Sequence, residues 1–196
     1  TKFALFEQPD QSLEYTENAW AIFENLEKEE REDVGLQIKL LESLSKHRNE
    51  TAETYCLELY HSIPTTHRTL TVYKSALPAF IRSNLYGLAE QGHAEALDRL
   101  QNGHEVSVWL CSIAIENEMW DLASRVKQQL DAKHAGEATA WTDNMFWRHI
   151  SDTPNLLSKA INLSKHHRML NQADALTPEF QRFSISMFQI AIINQF

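Results

Sequence analysis

The sequence predicts an all-α protein of stacked antiparallel helical hairpins, an α-solenoid-like arrangement of about 9–10 helices. Apolar residues recur at i, i+3, i+4 and i+7 in several segments, which places them on one face of a helix, and no segment alternates as a strand does. Short polar turns separate these segments, as expected between neighbouring antiparallel helices. The stripes are Ala19-Ile22-Phe23-Leu26, Ala52-Tyr55-Cys56-Leu59, Val106-Trp109-Leu110-Ile113 and Met119-Leu122-Ala123-Val126.

Polar residues that cap helices set the expected starts of the first three helices. Asp10 or Ser12 is expected to cap a first helix that runs to about Glu30. A leucine-rich second helix follows it. Asn49 or Thr51 begins the third, because both side chains can accept a hydrogen bond from the first turn.

Prolines are expected to end the next two segments. Pro64 ends the third helix because its ring cannot continue the hydrogen-bond ladder. Pro78 ends the segment that follows, whether that segment is a helix or an irregular connector. Residues 65–79 are therefore predicted to be a connector or a short helix. This divides the chain into an acidic N-terminal helical module (1–64), the connector, and a helical-hairpin region (80–196), which together form one continuous structural unit.

The hairpin region shows a weak internal similarity. Residues 80–101 can be laid over residues 106–127, each predicted as a helix, a tight polar turn and a second helix. Thr153-Pro154 and Thr177-Pro178 each supply a capping residue followed by a proline at the first helical position. The last helix is apolar, but polar residues interrupt it, so we expect a buried or docking helix and no membrane span.

One short run resembles a known class of repeats. Leu88-Ala89-Glu90-Gln91-Gly92-His93-Ala94-Glu95-Ala96-Leu97 is similar to the turn between helices in ankyrin repeats and in tetratricopeptide-related repeats. If the run forms such a turn, Gly92 takes a left-handed conformation and ends one helix. The resemblance implies a helical-repeat scaffold that binds a partner, and it implies no catalytic residue.

Charge and cysteine content restrict the classes of partner and compartment. The net charge is −9, and residues 1–60 hold 14 acidic residues against 6 lysines and arginines, so nucleic-acid binding is not expected. Cys56 and Cys111 both lie on apolar helical faces, which favours buried free thiols in a reducing environment. Without a visible signal peptide, we expect a soluble protein of the cytoplasm, or one secreted into a reducing compartment.

Several families of enzyme are excluded by missing motifs. The five glycines never lie closer than five residues apart, so neither a phosphate-binding loop nor a dinucleotide fingerprint is present. No nucleophile elbow occurs either. We therefore predict that the protein uses no cofactor.

A di-metal site is the feature that would support the alternative hypothesis of an enzyme. Glu58 with His61, and Glu90 with His93, have the Glu-x-x-His spacing that puts a carboxylate and an imidazole on one helical face. The neighbouring apolar stripe points away from His61, which favours solvated side chains over metal ligands. An all-α enzyme with a His/carboxylate site remains the second hypothesis.

A non-enzymatic protein–protein interaction module or adaptor is the first hypothesis. Tryptophan and arginine dominate the energetics of protein interfaces, and an acidic face suits a partner with a basic surface. The candidate partner-binding residues are an aromatic and basic cluster, Trp141, Phe146, Trp147, Arg148 and His149, and an acidic group, Glu27, Glu30 and Asp33.

Overall fold

The computed structural model describes residues 9–135, 146–173 and 175–194. All regular secondary structure in these residues is helical and no strand occurs among them, which confirms the all-α prediction. No helix within them is sufficiently long and apolar to cross a membrane. The helices are α1 (Pro9–Glu24), α2 (Lys28–Arg31), α3 (Val34–Leu44), α4 (Glu50–Ser62), α5 (Leu70–Arg82), α6 (Tyr86–Arg99), α7 (His104–Glu116), α8 (Trp120–Lys133), α9 (Leu156–Gln172) and α10 (Pro178–Ile193), with a 3-10 turn at Thr65–His67 and helical residues at 146–151.

Contacts between Cα atoms divide the chain into two compact units. The first unit is Thr1–Gly92 and the second is His93–Phe196, so the division falls inside α6. Residues 65–79, which the sequence predicts as a connector or a short helix, form the 3-10 turn and most of α5 within the first unit.

The first unit has its core between α3, α4 and α5, with α1 packed on α4. Tyr60 is central to this core: its ring lies edge-on to Phe80 at 5.0 Å between centroids and to Tyr73 at 6.4 Å. The Arg68 guanidinium lies 4.0 Å from the Tyr60 ring centroid and also donates to the Tyr60 carbonyl at 3.0 Å. These contacts tie the segment before α5 to the end of α4.

The second unit is built on two packed pairs, α7 with α8 and α9 with α10, and α10 also packs on α8. Its fully buried side chains come from every one of these helices and from residues 146–151. They include Val106, Leu110, Cys111, Ala114, Ile115, Ala123, Val126, Phe146, Ile150, Leu163 and Met187.

The buried face of α1 differs from the predicted stripe. Ile22 is 67% exposed, whereas Ser12, Thr16 and Trp20 face the core. Trp20 stacks on Tyr55 with ring centroids 4.0 Å apart, so the larger aromatic surface is the one that is buried. The Thr16 hydroxyl is satisfied by donating to the Ser12 carbonyl at 2.8 Å, which removes the penalty for burying it.

Two of the predicted helix starts are confirmed. The Asn49 side chain accepts from the Ala52 N–H at 2.8 Å and caps α4. The Thr177 hydroxyl accepts from the Phe180 N–H at 3.2 Å, and Pro178 is the first residue of α10. In both places a side-chain acceptor replaces the missing backbone acceptor of the first turn.

Several predicted helix boundaries are wrong. The first helix ends at Glu24 and not at about Glu30, and Asp10 and Ser12 lie inside it. Pro78 lies inside α5, which continues to Arg82 because the residues around the proline are buried and outweigh one lost donor. Gly92 lies inside α6 and does not end a helix there. Near Thr153-Pro154 the helix begins later, at α9, after Asn155 in a left-handed conformation with φ 56°.

The turns after α5 and α7 match each other at an offset of 34 residues. Asn84 and Glu118 both have φ 59°. The Leu85 N–H donates to the Phe80 carbonyl at 2.7 Å, and the Met119 N–H donates to the Ala114 carbonyl at 2.8 Å. This is the Schellman pattern of helix termination. The helices on either side also match, since α5 and α7 have 13 residues each and α6 and α8 have 14 each. The predicted similarity of residues 80–101 to residues 106–127 requires a turn at Gly92, and Gly92 lies inside α6.

Candidate functional site

A cleft of about 600 Å³ lies in the second unit between α8, the helical residues 146–151 and α10. Its lining combines aromatic rings with charged groups of both signs. The lining residues are Ser124, Lys127, Gln128, Asp131, Ala132, Trp147, Glu179, Arg182, Phe183 and Ser186. We call this the aromatic cleft.

The aromatic wall of this cleft is held in place by ring contacts. Trp147 is half-buried, and its ring centroid lies 5.8 Å from that of Phe183 and 5.0 Å from that of Phe146. Phe146 is fully buried and Phe183 is nearly so. Trp147 is therefore the ring whose remaining surface is open to the cleft, supported by two buried neighbours.

Lys127 brings a positive charge to the floor of the aromatic cleft. Its side chain is only 10% exposed, and its ammonium group forms an ion pair with the carboxylate of Asp131 one turn later. The ammonium also lies 5.1 Å from the Phe146 ring centroid and 6.0 Å from that of Trp147, within the range of cation–π attraction. Its stem covers apolar surface while its charge is compensated, which is how a lysine can be buried.

The remaining predicted aromatic and basic residues lie in different settings. Arg148 and His149 are exposed and do not line the aromatic cleft. Phe146 is a core residue and offers no surface of its own. Trp141 lies outside the described residues.

The predicted acidic residues begin two helices of the first unit. The Glu30 carboxylate accepts from the Glu27 N–H at 3.1 Å, at the start of α2. The Asp33 carboxylate accepts from the Leu36 N–H at 3.0 Å and caps α3. All three side chains are exposed, so helix capping accounts for Glu30 and Asp33 while leaving their surface open to a partner.

The alternative metal ligands are in unlike environments. Glu58 and His61 are exposed on α4, Glu90 is half-buried on α6, and His93 is fully buried. Among the described residues, no group of three or more His, Cys, Asp and Glu side chains could hold a metal ion.

Burial of His93 departs from the solvated side chain favoured by the sequence. Its Nδ1 lies 2.6 Å from Oε1 of Gln129, and its Nε2 lies 2.7 Å from the hydroxyl of Ser107. Both ring nitrogens are thus satisfied by polar side chains of the second unit, and the ring is shielded from a dissolved substrate. These contacts give His93 a structural role in joining α6 to α7 and α8.

The two cysteines are buried free thiols, as the sequence predicted. Burial raises the pKa of Cys56 to about 12 and raises the pKa of Cys111 as well. The Cys111 thiol is 3.6 Å from the Ala123 carbonyl. Because the thiolate is the reactive form, neither residue is suited to nucleophilic or redox chemistry.

Sequence reasoning missed the residues that make the aromatic cleft. Lys127, Arg182 and Phe183 lie on α8 and α10, far along the chain from Trp147. A polar residue inside the buried face of a helix was the available signal, since Lys127 interrupts the apolar stripe of α8 next to Val126.

Comparison with models of protein families, with curated proteins and with solved structures finds no match for this chain.

Proposed function

We propose that this chain is a non-enzymatic protein-interaction module or adaptor, and that the aromatic cleft holds a side chain of its partner. The observation that carries the proposal is the half-buried Trp147, held by Phe146 and Phe183 beside the charged residues of the cleft. Aromatic residues and arginine supply most of the binding energy at protein interfaces when a pocket shields them from water.

The lining residues favour a particular kind of partner side chain. Trp147 offers apolar surface to an aromatic or aliphatic group, and the nearly buried Phe183 supports it. Arg182 and Glu179 are exposed at the edge of the cleft, and neither forms an ion pair in the part of the chain that the structure describes. The partner is therefore a protein with an apolar anchor flanked by an acidic group that meets Arg182 and a basic group that meets Glu179.

We also propose that the helices form stacked antiparallel hairpins of the helical-repeat kind. The matching turns after α5 and α7, the matching helix lengths and the 34-residue offset support this arrangement. Tetratricopeptide repeats have the same period of about 34 residues, in helix–turn–helix units. Packing of α3 with α4, α7 with α8 and α9 with α10 is also what such hairpins require.

Site-specific photo-crosslinking in the native host tests the proposed interaction. A photoreactive amino acid replaces Gln128, an exposed residue that lines the aromatic cleft. The matched control replaces Arg168, an exposed residue of α9 in the same unit that does not line it. We expect a protein adduct from position 128 that is absent from position 168.

A charge reversal in the cleft then tests whether the adduct depends on it. Arg182→Glu should reduce the yield of the adduct about tenfold, because it repels the acidic group of the partner, while Arg168→Glu should leave the yield unchanged. The proposal is wrong if no protein adduct forms at position 128, or if the adduct is insensitive to Arg182→Glu.

A further inference from the structure

A second cleft, of about 490 Å³, lies in the first unit between α1, α2, the start of α3 and the end of α4. Trp20, Phe23 and Leu59 form its apolar wall. Trp20 stacks on Tyr55 and Phe23 lies 5.4 Å from Trp20 between ring centroids, so the wall is fixed by packing. We call this the Trp20 cleft.

Gln37 gives the Trp20 cleft an acceptor that lacks a donor. The residue is only 7% exposed, and its Nε2 donates to the Arg31 carbonyl at 2.7 Å. A carbonyl can only accept, so the amide nitrogen must face Arg31 and the amide oxygen must face the other way. That oxygen is buried and has no hydrogen-bond partner among the described residues. An unsatisfied buried acceptor is unfavourable, and a donor placed against it would remove that penalty.

Carboxylates surround the apolar wall of the Trp20 cleft. Lys28 pairs with Glu32 at 3.6 Å across the surface. Glu24 and Glu58 also line the cleft, and neither forms an ion pair within the described residues, so two carboxylates face one remaining cation, Arg31. The cleft therefore favours a positively charged guest.

Tyr55 lies in the same negative potential, to which the cleft residues Glu24 and Glu58 contribute. Burial and then the negative charges of Glu24, Glu17 and Glu58 raise the pKa of its hydroxyl. Because Tyr55 stacks on Trp20, this potential acts beside the apolar wall of the cleft.

We propose that the Trp20 cleft binds the guanidinium group of an arginine in a basic peptide segment of a partner. A guanidinium is planar and weakly hydrated, so it packs on aromatic rings, and its five N–H donors can serve several acceptors together. Gln37 supplies the buried acceptor, and Glu24 and Glu58 supply the charge. A lysine would bring a point charge with no flat surface for Trp20 and Phe23.

The test is a titration of the whole chain, labelled with ¹⁵N, with short glycine–serine peptides. One peptide carries a single arginine, one carries lysine, and one carries citrulline, which is the uncharged isostere of arginine. The side-chain amide of Gln37 and the indole N–H of Trp20 are the reporters. The arginine peptide should shift both signals, and the citrulline peptide should bind at least about tenfold more weakly because it lacks the charge.

Matched variants separate the cleft from general attraction to an acidic protein. Glu24→Gln with Glu58→Gln should weaken the arginine peptide about tenfold, whereas Glu14→Gln with Glu42→Gln, which removes the same charge from exposed sites of the same unit outside the cleft, should change the affinity less than twofold. Gln37→Met should also weaken binding without changing the helical content.

Three results would overturn the proposal. They are equal affinity for the citrulline or lysine peptide, equal losses from the two pairs of glutamate variants, and shifts that spread over exposed acidic residues without the two reporters. Since every residue involved belongs to the first unit, failure here leaves the proposal for the aromatic cleft untouched.

Discussion

Replacing Gly92 with alanine should destabilise the protein even though Gly92 lies inside a helix. Alanine exceeds glycine in helix propensity by about 0.5–1 kcal/mol, so an open site would gain stability. At Gly92, however, a Cβ atom would lie 2.8 Å from Cδ2 of Leu77 and 3.2 Å from the hydroxyl oxygen of Tyr60. Carbon atoms normally approach to 3.5–4.0 Å, so the methyl group overlaps Leu77 by about 0.7 Å or more.

The magnitude follows from two opposing effects. Overpacking a buried site costs about 1–3 kcal/mol, and Leu77 can relieve part of it because the clash involves the end of a side chain. Subtracting the propensity gain leaves an expected loss of about 0.5–2 kcal/mol for Gly92→Ala. Gly87→Ala is the matched control in the same helix, because nothing lies within 4 Å of its Cβ position, and it should be neutral or stabilise by up to about 1 kcal/mol.

A double-mutant cycle with Leu77→Val tests the cause. Valine lacks δ carbons, so it removes the clashing atom at a cost of about 1 kcal/mol. In that background Gly92→Ala should become neutral or stabilising, with a coupling energy of about 1–2 kcal/mol. Urea unfolding followed by circular dichroism measures each free energy. A Gly92→Ala variant that is more stable than the wild type by the full propensity gain would refute the packing argument.

Three further predictions concern other sites. Gly103→Ala should lower the free energy of unfolding by about 2–4 kcal/mol, measured in urea, because the added Cβ would overlap the Ala96 carbonyl oxygen, a backbone atom that cannot rotate away. A loss under about 1 kcal/mol would contradict this contact. Cys56 and Cys111 should resist a thiol reagent at neutral pH and both react after unfolding, and rapid labelling of the native protein would show that they are not buried. Hydrogen bonds from Asn162 and Lys159 lower the pKa of Glu118 below its ordinary value of 4.5. The stabilisation by Glu118 is therefore fully present above pH 4.5, and it is lost as the pH falls through the lower pKa of the folded state. The stability difference between wild type and Glu118→Gln should shrink at acid pH, and a difference that stays constant there would rule out this linkage.

Local signals in the sequence predicted much of the fold. Asn49 and Thr177 were identified as caps because a cap needs only a short side chain and the next three residues. The stripe of α7 is predicted in part, because helical periodicity is visible within one helix: Val106 and Leu110 are buried, whereas Trp109 and Ile113 are half-buried.

Tertiary packing decided what local signals could not. On α1 the sequence predicts a buried stripe that includes Ile22, but Trp20 is the residue that stacks on Tyr55 and is buried, and Ile22 is 67% exposed. At Gly92 the expected turn was replaced by a helix in which glycine makes room for Leu77. A glycine that terminates a helix and a glycine that permits close packing look the same in a single sequence.

The candidate sites were even less accessible to sequence reasoning. Trp147 was identified from its residue type, but the cleft also depends on Lys127 and Phe183, which other helices bring to it. Nothing in the sequence marks Gln37 as a binding residue. Its amide oxygen lacks a partner because its amide nitrogen donates to the Arg31 carbonyl in the folded chain. Contacts between residues remote in sequence are set by how whole helices pack.

The matching turns at Asn84 and Glu118 have a consequence for how rapidly the chain folds. Each turn is closed by a hydrogen bond between residues only five positions apart, so it ends its helix before any distant part of the chain has arrived. Chains dominated by such local contacts lose little entropy in closing loops and reach their native state in microseconds to milliseconds. Helices α7 and α8 can therefore pair as soon as both have been synthesised, before the rest of the second unit is present.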